Sequence, residues 1–311
     1  MATPERRYSS PLRYPGGKGK VASYIKLVML ENDLLGCEYV EPYAGGASVA
    51  LSLLFERYAS HIHINDLNRS VFAFWKTVLG QPDELCRRIR DTSVDVAEWQ
   101  RQRDIQRQQD VSDLDLAFST FFLNRTSRSG IIGGGVIGGL DQTGRWKIDA
   151  RYNVDPLIRR IEKIARHRDH ITVTGRDTAD YIRQDLQHVP DAFVYFDPPY
   201  YVKGRGLYEN YYVHDDHAEV AALVLALEVP WVVSYDATPE IRAMYDGAAC
   251  ITYDLHYSAA DRSSGSEVMF FSSGMDIPRE VRPAGVPAGY VDAQLRFALP
   301  SDTGLPTRQP G

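Results

Sequence analysis

The chain has 311 residues, 44% of them apolar, and a formal net charge of -6. It can bury a full globular core, and it has neither an apolar run long enough to span a bilayer nor a signal-peptide-like start, so the expectation is a cytoplasmic protein. Cys37, Cys86 and Cys250 are too few and too scattered for a disulfide framework or a cysteine metal cluster, while the acidic total argues only weakly against nucleic acid, because a local basic patch can hide inside it.

In chain order, Met1 to Ser10 is polar and loose. Pro11 to Lys20 is rigid and glycine-rich, ahead of a helical run from Val21 to Leu30. Its glycines let backbone approach a ligand, and Lys18 is placed to meet a carboxylate or phosphate; the spacing is not that of a phosphate loop, and no strand precedes it. Glu38 to Tyr43 predicts a strand, Ala44-Gly45-Gly46-Ala47-Ser48 a tight turn and Val49 to Phe55 a helix, the first half of a nucleotide-binding unit. His61 to Ile64 predicts the next strand, ending at Asn65-Asp66 about twenty residues beyond the glycines, where a carboxylate grips ribose hydroxyls in this architecture. The plainer alternatives are a glycine turn serving helix packing and an Asp66 that caps the next helix. The turn lacks the three-glycine spacing of pyrophosphate binders, which points to a ligand with adenosine and no phosphate rather than to NAD. His61 with His63, and His214 with His217, raise a metal site but have no further ligands at matching spacing; His214-Asp215-Asp216-His217 reads better as a helix start with carboxylates at its positive end.

Leu67 to Gly80 predicts an amphipathic helix, and from Gln81 the composition turns polar, opening an inserted and mostly helical region with an apolar helix over Leu114 to Leu123. The stretch from Asn124 to Asn153 then sets Arg125, Arg128, Arg145, Lys147 and Arg151 against Asp141 and Asp149. Glycines, apolar tips and arginines together suit a loop or hairpin pressed on DNA, reaching base edges and wedging the stack; the competing reading is a solvated surface loop. Helix, strand and helix resume over Asp155 to His167, Ile171 to Gly175 and Thr178 to His188. Asp191 to Phe196 is a strand buried on both faces, stopped by Asp197-Pro198-Pro199-Tyr200. Asp197 and the Pro198 carbonyl offer two acceptors for one exocyclic amine, and Tyr200 offers a flat face for a base, which is what methylating an adenine or cytosine amino group requires. A stiff turn is the alternative. Tyr201 to Tyr212 predicts a mobile loop closing over the target base. It is followed by a helix over Asp215 to Leu227, a strand over Pro230 to Tyr235, a helix over Pro239 to Tyr245, and a terminal hairpin of Cys250 to Tyr257 with Glu267 to Ser272. The tail from Pro278 is disordered or draped on the surface.

Four motifs in fixed order, Arg13-Tyr14-Pro15-Gly16-Gly17-Lys18, Glu41-Pro42-Tyr43-Ala44-Gly45-Gly46, Asn65-Asp66 and Asp197-Pro198-Pro199-Tyr200, with an insertion before the last, closely resemble the Dam-type DNA adenine methyltransferases, an alpha-class amino-methyltransferase family. The resemblance implies site-specific methyl transfer from S-adenosyl-L-methionine to N6 of an adenine flipped out of double-stranded DNA. It implies an α/β fold with a Rossmann-like, seven-stranded, mostly parallel sheet ending in an antiparallel hairpin, and an inserted target-recognition domain. Residues 11–80 and 154–275 would form the catalytic domain, 81–153 the DNA-binding insertion and 276–311 a flexible tail. It assigns Tyr14, Lys18, Glu41, Tyr43, Gly45, Gly46, Asp66 and Asp197 to the cofactor, Asp197 to Tyr200 to catalysis, and Arg128, Ser129 and Ile131 to the loop that probes DNA, joined there by Arg125, Arg145, Lys147 and Arg151. No metal is implied, and a cognate restriction endonuclease or defence system is the partner such an enzyme can have. The chain departs from the GATC-specific members by inserting Ile132 to Gly139 and by carrying Arg128 where some have an intercalating tyrosine, so the resemblance does not carry GATC recognition over. Cytosine-N4 methylation and a non-catalytic DNA-binding role on the same fold are the alternatives.

Overall fold

The computed structural model describes residues 9–13, 21–202, 212–255 and 265–287, with 290, 291 and 294. Tyr14, Lys18 and most of the expected closing loop lie outside the described residues.

Seven strands form one sheet in the order β3-β2-β1-β4-β5-β7-β6. They are β1 (Glu38–Glu41), β2 (His61–Asn65), β3 (Ile171–Thr174), β4 (Ala192–Phe196), β5 (Trp231–Asp236), β6 (Ala249–Leu255) and β7 (Gly265–Phe271). The first five run parallel, and β7 enters antiparallel between β5 and β6. This is the mostly parallel sheet with a terminal antiparallel hairpin that the sequence predicts. The chain builds outward from β1 to β3, then returns to lay β4 on the other side of β1, so the switch point where open sheets bind ligands lies between the carboxyl ends of β1 and β4.

Side chains on successive strand residues point to opposite faces, and the core divides accordingly. Tyr39, Phe193, Tyr195 and Val232 face one layer of helices, while Val40, Val194, Phe196 and Val233 face the other. All five residues of β4 are buried, as the strand ahead of the two prolines should be.

The insertion is helical, with α4 (Pro82–Asp91), α5 (Val96–Arg107) and α6 (Asp113–Thr126), and it follows α3 (Arg69–Gly80). It has no separate core: Phe118, Phe121 and Phe122 of α6 belong to the same apolar cluster as Phe74 and Trp75 of α3 and Leu157 and Ile161 of α7 (Val154–Ala165). Phe74 and Phe121 stack at 6.3 Å, and Tyr152 meets Phe121 edge-on at 5.5 Å.

Two open expectations take a definite form. Of the loop and the hairpin, the glycine-rich stretch after α6 is a loop: among the described residues it holds one bridge, Ser127 with Val136, and a turn of 3-10 helix over Arg128–Gly130. The start of the expected flexible tail is docked on α1 (Ala22–Glu31): Tyr24 donates to the Pro278 carbonyl at 2.9 Å, and Asn32 exchanges two 2.8 Å bonds with the Asp276 backbone. Ile277, Val281 and Val286 pack on the core there, so apolar residues spaced among the prolines hold what composition marks as loose.

Because the insertion and the sheet share one core, Phe121→Ala should lower the stability of the whole protein by roughly 3–5 kcal/mol. Urea unfolding followed by tryptophan fluorescence should show a single shifted transition; two transitions, with only one moved, would mean that the insertion unfolds by itself.

Candidate active site

The rim of the sheet around the switch point is acidic. Glu41 ends β1, Asp66 follows β2 and Asp197 follows β4, three neighbouring strands. The turn between β1 and α2 (Ser48–Phe55) bends through Gly45 and Ala47, both at positive φ (45° and 46°). Ala47 gives α2 no side-chain cap, and the buried Glu41 supplies the missing acceptor, taking the Ala50 N–H at 3.0 Å.

Asp66 braces the glycine turn. Its Oδ2 accepts from the Gly45 N–H at 2.8 Å and its Oδ1 from the Asn68 N–H at 2.9 Å, while Trp75 donates to the Gly45 carbonyl at 2.9 Å. Neighbouring Asn65 is buried and fully used: its amide donates to the carbonyls of Pro42 (3.1 Å) and Arg176 (2.9 Å), and its oxygen accepts from Thr174 Oγ1 (2.8 Å) and the Arg176 N–H (2.9 Å). One side chain thus ties the ends of β1, β2 and β3 together. The helix cap set against a ribose role for Asp66 falls to its neighbour: Asn68 caps α3, and Asp66 only accepts the N–H of that capping residue.

The tetrad is held by side chains of β5 and β7. Ser234 donates to Asp197 Oδ1 at 2.9 Å and is itself bonded to the Tyr195 hydroxyl at 2.8 Å. Asp236 accepts the N–H groups of Tyr201 and Val202 at 2.9 and 3.0 Å, fixing the chain as it leaves the tetrad. Tyr200 does not present the open face expected of it: it is 8% exposed, and its hydroxyl donates to Glu267 Oε1 at 2.8 Å. Tyr43 of the glycine turn is half-buried, with its hydroxyl 3.1 Å from that of Tyr212 beyond the tetrad.

Burial shapes the electrostatics of the rim. It pushes the Glu41 carboxyl up to about 8, with nearby Asp197 adding to the rise and the Ala50 N–H opposing it. It pushes Asp66 up to about 6 despite two backbone N–H bonds that work the other way. Acids so placed at strand ends fit a cationic ligand.

The family model described as D12 class N6 adenine-specific DNA methyltransferase matches residues 14–261, four-fifths of the chain and all four motifs but for Arg13. The chain belongs to this family. A search among curated proteins finds no match for it.

On this D12 methyltransferase the basic stretch divides. Arg128, Ser129, Arg145, Lys147 and Arg151 are exposed, as expected, and Ile131 is half-buried. Arg125 is not: it is 7% exposed, donates through two nitrogens to the Pro11 carbonyl, and is pulled down to about 9 by burial and by Arg160, Arg13 and Arg151. It lies within the last turn of α6, a helix buried all round at that end, so it clasps the N-terminal segment instead of reaching outward.

Several surface residues were not singled out by the sequence reading. Trp146 is 57% exposed between the guanidinium groups of Arg145 (5.4 Å) and Arg151 (5.8 Å). Arg103, stacked on Trp99 at 4.9 Å, and Arg107 line an open groove of about 590 Å³ with Arg128, Leu140 and the inserted Gly135, Val136 and Gly139. The spacing of Gln100, Arg103 and Arg107 already puts all three on one face of α5. Gln142 shapes the loop, donating to the carbonyls of Ile137 and Gly139 and accepting from the Ile148 N–H. His61 and His63 are engaged with Thr172 and Glu38.

A carboxyl whose folded pKa is raised binds its proton more tightly in the fold, so its contribution is complete below pH about 4.5 and is lost as pH rises through about 8. Glu41→Gln keeps an acceptor for Ala50 and removes that titration. The variant should therefore match the wild type near pH 5 and be the more stable by on the order of 1–3 kcal/mol at pH 9. Parallel unfolding curves for the two proteins from pH 5 to 9 would contradict this.

Proposed function

We propose that this chain is a site-specific methyltransferase that transfers the methyl group of S-adenosyl-L-methionine to N6 of an adenine flipped out of double-stranded DNA. The observation that carries the reading is Asp197, its carboxylate oriented by Ser234 at the switch point between β1 and β4, beside Glu41 and Asp66.

The donor set fits the cofactor. S-adenosyl-L-methionine, when bound, supplies an electrophilic methyl on a cationic sulfonium. Asp66 has acceptor capacity for ribose hydroxyls beyond its two backbone bonds, since a carboxylate carries about four lone-pair sites. The buried acids of the rim favour a cation, and Tyr43, Gly45, Gly46, Tyr14 and Lys18 complete the set that would hold it.

Asp197 accepts a hydrogen bond from the exocyclic amine and draws electron density onto its nitrogen; the Pro198 carbonyl is the second acceptor of that amine. Holding nitrogen and methyl in line supplies much of the acceleration. An amine inside the duplex cannot reach the rim, so the base is everted at a cost of a few kcal/mol, which stacking and the two amine bonds offset. Tyr200 is 8% exposed, so for a base to stack on it the ring face has to be uncovered.

Residues 81–153 form the part that recognises DNA, with Arg128, Ser129, Ile131, Arg145, Lys147 and Arg151 toward the duplex. Arg125 is withdrawn from that set, since its guanidinium is committed to Pro11. Methylation of one motif wherever it occurs is what protects DNA from a cognate restriction endonuclease, and the cytoplasm is where such an enzyme meets its substrate. The two-acceptor geometry would also serve cytosine N4; the adenine specificity of the family ranks that second.

Digestion of treated DNA to nucleosides, with mass spectrometry, should yield N6-methyladenine, and N4-methylcytosine in its place would overturn the choice of base. Asp197→Ala should cut methyl transfer by roughly 10²–10⁴-fold with the fold retained. Near-normal turnover in that variant would remove Asp197 from the mechanism.

A further inference from the structure

The two prolines of the tetrad have no N–H, and β4 ends at Phe196, so no ladder hydrogen bond from either of them can hold Asp197 to Tyr200 in place. Asp197 is fixed by Ser234, and the chain after Tyr200 by Asp236. What fixes the Tyr200 ring itself lies on β7. Glu267 is 1% exposed, and a carboxylate taken that far from water is costly unless its oxygens find donors. Each finds a phenol: Tyr200 donates to Oε1 at 2.8 Å and Tyr253 of β6 donates to Oε2 at 2.8 Å.

The register explains why this strand supplies the group. β7 runs antiparallel to β5, so it begins at the rim where the parallel strands end, and Glu267 sits opposite Asp236 on one side and Tyr253 on the other. The four residues of β7 that follow Glu267, Val268-Met269-Phe270-Phe271, are apolar and buried, so the buried acid stands out as a polar group with a specific task.

We propose that Glu267 is a positioning residue for methyl transfer: by holding the Tyr200 hydroxyl, it sets the plane of the Tyr200 ring before the target base arrives, and so the height at which the base's amine meets Asp197. Without that bond the ring loses its anchor to β7, and the amine is presented over a wider spread of positions. The inference rests on the tetrad being the amine-holding site. It adds that the antiparallel hairpin is part of the active site through a residue that touches neither cofactor nor base.

The test uses the full chain, unmethylated genomic DNA as substrate, nucleoside mass spectrometry for rates and calorimetry for cofactor affinity. Tyr200→Phe keeps the ring and removes the hydroxyl; Glu267→Gln keeps the shape and turns one acceptor into a donor. Each should lower kcat by about ten- to a hundredfold, with the KM for DNA and the affinity for S-adenosyl-L-methionine within about twofold of wild type. The double variant should be no slower than the slower single one, because Glu267 acts through the Tyr200 hydroxyl and Tyr200→Phe already removes it. Wild-type kcat in Tyr200→Phe, or losses that multiply in the double variant, would overturn the inference, as would a fall in cofactor affinity that matches the fall in rate. If Glu267→Gln does not fold, Tyr200→Phe alone decides. A wild-type chain that leaves no methylated base refutes the proposed function itself, whereas an active wild type with an equally active Tyr200→Phe refutes only the role of Glu267.

Discussion

Two consecutive prolines at the end of a buried strand create the constraint on which the site depends. They stop β4 sharply and leave the segment that must present Asp197 without donors for the sheet. Side chains of the neighbouring strands replace that lost ladder: Ser234 and Asp236 from β5, Glu267 from β7. The reversal of direction at β7 is what makes this possible, since only an antiparallel strand can start at the rim where the parallel strands finish. The hairpin at the end of the sheet thus closes the core on one side of β5 and clamps the tetrad on the other.

The second organising feature is a concentration of acid that solvation alone would disfavour. Two competing effects act on Asp66, and their order is visible: two backbone N–H bonds favour the charged form, burial disfavours it, and burial prevails. At Glu41 the same contest is more lopsided, because one N–H stands against full burial and the field of Asp197. The fold accepts the cost because the same carboxylates have local structural duties, Glu41 at the start of α2 and Asp66 across the glycine turn. Both carboxyls are thereby oriented at the rim by backbone N–H groups of the chain itself.

How much of this could be read from the chain follows from the range of each interaction. The sheet, the glycine turn, Asp66 and Asp197 were legible because a two-sided apolar strand, a tight turn and a carboxylate at fixed spacing are all local patterns. Glu267 was not, since its partner Tyr200 is 67 residues away and nothing local marks the pair. Asn65 was quoted as one half of a dipeptide, but its four bonds reach β1 and the far side of β3, which only the folded sheet brings together. Arg125 shows the opposite failure: it stands in a run of arginines and was read with them, although it is inside the last turn of a helix whose every residue from Leu116 on is buried. What separates it from Arg128 is the end of the helix, which falls between them at Thr126.

That same arginine is part of the last structural link. Asn124 accepts the Arg13 N–H at 2.7 Å and donates to the carbonyls of Arg13 (2.6 Å) and Gly130 (2.8 Å), so one amide joins the N-terminal segment to the turn that begins the glycine-rich loop. Gly130 is required there twice over: its φ is +79°, and a Cβ would lie 2.7 Å from the Arg13 carbonyl oxygen. Arg125 adds its bonds to Pro11 and Arg160 a bond to Ser10 at 3.2 Å. Residues 9–13 lead directly into the segment that carries Tyr14 and Lys18, and they are anchored to α6 through Asn124 and Arg125 and to α7 through Arg160. One short stretch of backbone is thereby fixed by a helix from each side of the glycine-rich loop.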